Sequence, residues 1–127
     1  MDTRTKIVTV ADAGRLVRGS RPVAVVTGYF DVLLASHARE LAHVREAHPD
    51  AILIVALTPA PEPLMEPRAR AEMVAALAMV DYVVSLEASE AEGFLAAFSA
   101  APIVRLEDAH RGRMRQLIEH VHRRQSA

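Results

Sequence analysis

Residues 25–37 read VVTGYFDVLLASH: a β-branched apolar run, a glycine, an aromatic pair with an acid, then a helical pattern around one histidine. Apolar residues without polar alternation mark a strand covered on both faces, and a glycine at its end frees the backbone for a tight turn into a helix. The stretch has the form of a ligand-handling turn at the carboxyl end of a parallel strand. It carries few of the side chains that usually handle phosphate there.

Working outward, the same unit recurs. PVAVVTG (22–28), AILIVAL (51–57), DYVVSL (81–86) and PIVRL (102–106) are short aliphatic runs that predict buried strands. Between them the apolar residues follow a helical period: Leu34, Ala38, Leu41 and Val44; then Met73, Ala76, Leu77 and Val80; then Met114, Leu117, Ile118 and Val121. Ser89 and Glu92 stand at capping-box spacing, Asp108 is placed to cap the last helix, and Asp12 to cap a short early one. Alternating strands and helices predict a Rossmann-like three-layer α/β/α sandwich with a mainly parallel sheet, one domain over 1–127. Such sheets bind ligands beyond the carboxyl ends of their strands, where the opening stretch lies.

Composition narrows the function classes. Two Tyr, three Phe and no Trp leave the core to aliphatic residues, and a net charge of -1 gives no basic surface for nucleic acid. The absence of cysteine excludes disulfides, thiolate metal sites and a Cys nucleophile. No apolar run is long enough for a membrane span and the charged MDTRTKIVTV start is unlike a signal peptide, so a cytoplasmic protein with no membrane partner is expected.

In order along the chain, KIVTVADAGRLV, VAVVTGYFDVLLASHARELAHVREA, DAILIVAL and RAEMVAALAMVDYVVSLE resemble the cytidylyltransferase-like nucleotidyltransferases, over about residues 6 to 90. Within that group it resembles the nucleotidyltransferase domain of bifunctional heptose kinase/ADP-heptose synthases and glycerol-3-phosphate cytidylyltransferase. The resemblance implies CTP or ATP as ligand, Mg²⁺ arriving with the nucleotide, and often a homodimer. It also implies a His-x-Gly-His motif on the first long helix, a Lys-Gly and Arg-Pro element after the second strand, and a Ser/Thr turn at the last helix. All of these aim donors and cations at an anionic centre.

The sequence departs from that pattern at each point. The motif reads Leu34-Ala35-Ser36-His37, leaving His37 as its one histidine. The loop after the second strand, LTPAPEPLMEP, has four prolines and no lysine, Lys6 being the only lysine in the chain. EDAHRGRMR stands where hydroxyls belong. By resemblance, the catalytic candidate is His37. The nucleotide-binding candidates are Gly28, Tyr29, Phe30, Asp31, Ser36 and Arg70, with Phe30 also readable as core, and Asp31 as a brace of the turn.

Arg111 and Arg113, near the start of the last helix, are candidate phosphate clamps in place of the missing hydroxyls. No metal site is expected: His37 and His43 fall on different helical faces, as do His120 and His122, and His110 stands alone.

Loss of several oxyanion donors, each worth two to three decades of rate, implies a catalytically impaired nucleotidyltransferase that acts as a nucleotide-binding, regulatory or assembly domain. One alternative is an active divergent enzyme moving CMP or AMP onto a sugar or polyol phosphate through His37, Arg70 and the Arg111/Arg113 pair. Another is a purely structural interaction partner.

Overall fold

The computed structural model describes residues 2–125, apart from the side chains of Arg113 and Met114. A 3-10 turn over Thr3–Lys6 leads into α1 (Val10–Val17), β1 (Val23–Gly28), α2 (Ala35–Ala47), β2 (Ile52–Leu57), α3 (Pro67–Ala75), β3 (Tyr82–Ser85), α4 (Ala91–Ala97), β4 (Ile103–Arg105) and α5 (Glu107–Gln125). The strands form one sheet in the order β3-β2-β1-β4, and every neighbouring pair is parallel. The chain is a Rossmann-like α/β sandwich. Among the described residues no helix is long and apolar enough to cross a membrane.

All six residues of β1 and of β2 are buried, because successive side chains of a strand enter opposite layers and both layers are apolar. Ala24, Val26, Leu53 and Val55 pack with Leu41 and Val44 of α2 and with Ala71, Val74 and Ala75 of α3. Val23, Val25, Ile52 and Ile54 pack on the other face with Ala13 of α1 and with Phe94 and Phe98 of α4. The strand order explains the allocation of helices. The chain moves steadily outward from β1 to β3, so α2 and α3 share a face; α4 then returns past β2 and β1 to the far edge and covers the opposite one. The order reverses between β1 and β4, and a crevice opens there beyond the strand ends.

Several helix ends differ from the sequence expectation. Thr9, not Asp12, caps α1: its hydroxyl accepts the Asp12 N–H at 3.1 Å. The Ser89–Glu92 box does not form, since the turn before α4 is closed instead by the Glu87 N–H donating to the Glu90 carboxylate at 2.8 Å. Asp108 lies inside the first turn of α5 and pairs with Arg111. α3 ends at Ala75, so Ala76, Leu77 and Val80 belong to the connection into β3, although Val80 is still fully buried.

At the opposite end of the sheet Arg45 of α2 joins three segments. Its guanidinium donates to Ala51 O at 2.6 Å, to Met79 O at 3.0 Å and to Asp81 Oδ2 at 2.6 Å, and that carboxylate oxygen also accepts the Leu53 N–H at 2.8 Å. Removing the guanidinium strands two carbonyls and a carboxylate in a half-buried place. Arg45→Ala is therefore expected to lower the unfolding free energy by about 2 kcal/mol, read from urea denaturation.

Candidate functional site

A cavity of about 310 Å³ occupies the crevice. Tyr29, Asp31, Leu34 and His37 line it from the segment after β1, Ala60, Pro61 and Glu62 from the loop after β2, and His110, Arg111, Arg115 and Ile118 from α5. The location is the one that the reversal of strand order dictates.

Its floor depends on one close approach. The His110 ring lies directly over Gly28: a Cβ built on that glycine would fall 2.4 Å from His110 Cε1 and 2.9 Å from Phe30. Only a bare Cα admits the ring. His110 Nδ1 accepts the N–H of Tyr29 at 3.1 Å and that of Phe30 at 3.4 Å. The absent side chain at Gly28 thus serves an imidazole of the protein itself rather than leaving space for a ligand. Phe30 follows in the left-handed region at φ 47°, a costly conformation for a residue with a bulky side chain. Its ring is completely buried and meets His37 and His110 edge-on, at centroid separations of 5.4 and 4.6 Å. Phe30 supports the site from beneath and does not line the cavity.

His37 reaches the same place from α2. Leu34, as N-cap, has no polar side chain, and the helix start is secured from the other direction: the Leu34 N–H donates to His37 Nδ1 at 2.9 Å. The centroids of the His37 and His110 rings are 4.3 Å apart, and both residues are buried. Sequence reasoning left His110 isolated; the structure makes it the partner of His37. The available signal was its position five residues after β4, beyond a strand end flanking the crevice.

Glu40, one turn beyond His37, completes a cluster in which a carboxylate oxygen and one nitrogen of each histidine lie within 4.8 Å of one another. This revises the expectation that the histidines fail to converge. The spacing alone would admit a divalent cation, but the hydrogen bonding opposes it. A metal-binding histidine normally donates its second ring N–H to an acceptor. Here each Nδ1 instead accepts a backbone N–H, which puts the proton of the neutral ring on Nε2. Coordination through Nε2 would require an imidazolate or loss of the backbone bond. The pair is built to donate, which suits an anion.

The remaining candidates separate into cavity and scaffold. Tyr29 lines the cavity, with the Arg111 guanidinium 5.9 Å from its ring centroid. The Asp108 carboxylate beside Arg111 raises its pKa further, so it stays cationic. Arg115, missed in the sequence reading, lines the cavity one helical turn after Arg111, at the i, i+4 spacing that puts two side chains on one face. Arg113 lies outside the residues whose side chains are described.

Asp31 borders the cavity, but its carboxylate accepts the N–H groups of Leu64 and Met65 at 2.7 and 2.9 Å, which ties down the proline-rich loop. Arg70 is buried and donates Nη1 to Tyr29 O at 3.0 Å and Thr58 O at 3.3 Å, bracing the turns after β1 and β2. Ser36, half-buried in the first turn of α2, is not among the cavity's lining residues.

The fold and the site define a Rossmann-like α/β protein with a donor-rich crevice at the reversal of its strand order. No protein-family model matches the chain, and no curated protein matches it significantly.

Gly28→Ala tests the close approach. The added methyl group must displace the His110 ring and with it the bonds to Tyr29 and Phe30, so a loss of about 3 kcal/mol is expected in denaturant unfolding. The His110 ring resonances should shift in the NMR spectrum of the folded variant.

Proposed function

We propose that the chain is a nucleotide-binding domain of nucleotidyltransferase type, with little transferase chemistry of its own, which takes a CTP- or ATP-like ligand in the β1/β4 crevice. The observation that carries this reading is the composition of the cavity: Arg111 and Arg115 on one face of α5, with the donor-fixed His37 and His110 at the floor. Guanidinium forks and imidazole N–H groups are matched to phosphate oxygens. A cavity of about 310 Å³ is at the lower end of small-ligand sites, and Tyr29 supplies an aromatic wall for a base or ribose.

The same residues favour binding over turnover. Leu34 offers no donor where the resembled family has its first histidine, and the loop over residues 58–66 carries no lysine. Arg70, the other cation expected to help, is engaged by two carbonyls. With each lost oxyanion donor worth about 10² to 10³ in rate, phosphoryl-centre chemistry at an ordinary pace is not supported. An assembly role would draw on the exposed Ile118 and Val121 of α5 for a homodimer.

Calorimetric titration with CTP and with ATP, each with Mg²⁺, tests the reading. Saturable binding with Kd on the order of 10⁻⁵ M is expected, weakened about tenfold or more in the Arg111→Ala/Arg115→Ala double variant. Pyrophosphate release with glycerol or sugar phosphates should stay below about 10⁻² s⁻¹, far under ordinary enzyme rates. Absence of binding to either nucleotide up to millimolar concentration would overturn the proposal, and turnover at several per second would overturn its second half.

A further inference from the structure

We propose that Glu40 is a built-in occupant of the anion position, a tethered carboxylate that a phosphate group must displace to reach His37 and His110. The inference rests on the nucleotide-binding reading and specifies how that site is regulated and what ligand it selects.

The argument starts from the proton positions. Backbone N–H groups take Nδ1 of both rings, so each neutral ring presents Nε2–H. Two such donors in a buried floor would be costly without a nearby acceptor. Glu40 is the acidic residue of the cluster, half-buried on α2 at i+3 from His37, with a carboxylate oxygen inside the 4.8 Å that encloses all three groups. It supplies the negative charge that the pair is arranged to receive. The Nε2 atoms of both histidines are themselves buried, so an incoming oxygen gains access only when the floor rearranges.

Two consequences follow. A bound phosphate would lie a few ångströms from a like charge, a repulsion that remains large at the effective dielectric of a partly buried site. The tethered carboxylate also competes at high effective concentration without loss of translational freedom. The favoured ligand is therefore one with a second anionic group that Arg111 and Arg115 hold at the wall while the first displaces Glu40. A diphosphate or triphosphate fits this requirement better than a monophosphate.

The test compares wild type, Glu40→Gln and Glu46→Gln by calorimetry with inorganic phosphate, pyrophosphate and ATP, each variant checked for folding by its thermal midpoint. Glu40→Gln keeps the shape and removes the charge, whereas Glu46→Gln removes the same charge from an exposed position on the same helix. The expected result is pyrophosphate and ATP binding about tenfold tighter in Glu40→Gln, unchanged binding in Glu46→Gln, and phosphate weaker than pyrophosphate throughout.

Equal or weaker binding in Glu40→Gln would overturn the role of Glu40 while leaving the nucleotide reading in place. No binding by any variant would overturn both. Saturable Zn²⁺ binding to wild type that disappears in Glu40→Gln would also overturn it, by showing a cation centre.

Discussion

The seating of the His110 ring on Gly28 is the contact on which the crevice depends. It joins the last residue of β1 to the first part of α5, which are far apart in sequence and come from two sides of the strand-order reversal. It determines where α5 begins its course over the sheet, and so which of its side chains face the cavity. It also fixes the hydrogen-bonding sense of the imidazole, because the Tyr29 N–H can only donate. Glycine at position 28 is thus a requirement of packing, and the packing sets the chemistry of the floor.

A second layer of interactions holds that contact in place. Thr27, buried next to Gly28, donates its hydroxyl to the Glu107 carboxylate at 2.5 Å, so α5 is tied to β1 one residue earlier as well. Arg70 bonds to Tyr29 O, and Asp31 holds the backbone of Leu64 and Met65, which brings the loop after β2 against the turn. Each of these groups looks functional as a residue type. In the fold Thr27 is spent on a carboxylate of α5, and Arg70 and Asp31 on backbone groups of the turns and loop beyond the strands.

This division explains how much the sequence could reveal. The sheet was legible because VAVVTG and ILIVAL are short, largely aliphatic runs without polar alternation, the pattern of strands buried on both faces. The place of the crevice was legible too, since a reversal of strand order opens one at the carboxyl ends. The roles of single residues were much less so. Whether Arg70 meets a ligand or a carbonyl depends on the relative height of two loops, and the pairing of His110 with His37 joins segments separated by most of the chain. Helix ends failed for a local reason: Thr9, Asp12, Ser89 and Asp108 are all competent caps, and tertiary packing selects among them.

The donors at the floor bear on what kind of chemistry the crevice permits. A histidine acting as general base needs a lone pair facing its substrate, and in this state both Nδ1 lone pairs are committed to backbone N–H groups while Nε2 carries the proton. Neither ring can abstract a proton without a ring flip that would abandon its backbone bond. A pair of fixed donors is useful only towards an acceptor that is already negative or becomes so. On the proposed reading such an acceptor would meet the Glu40 carboxylate in the same neighbourhood, so that binding and displacement would be a single event. The preference proposed for the site would then be set by the number of negative charges a ligand can distribute between floor and α5, more than by any one hydrogen bond.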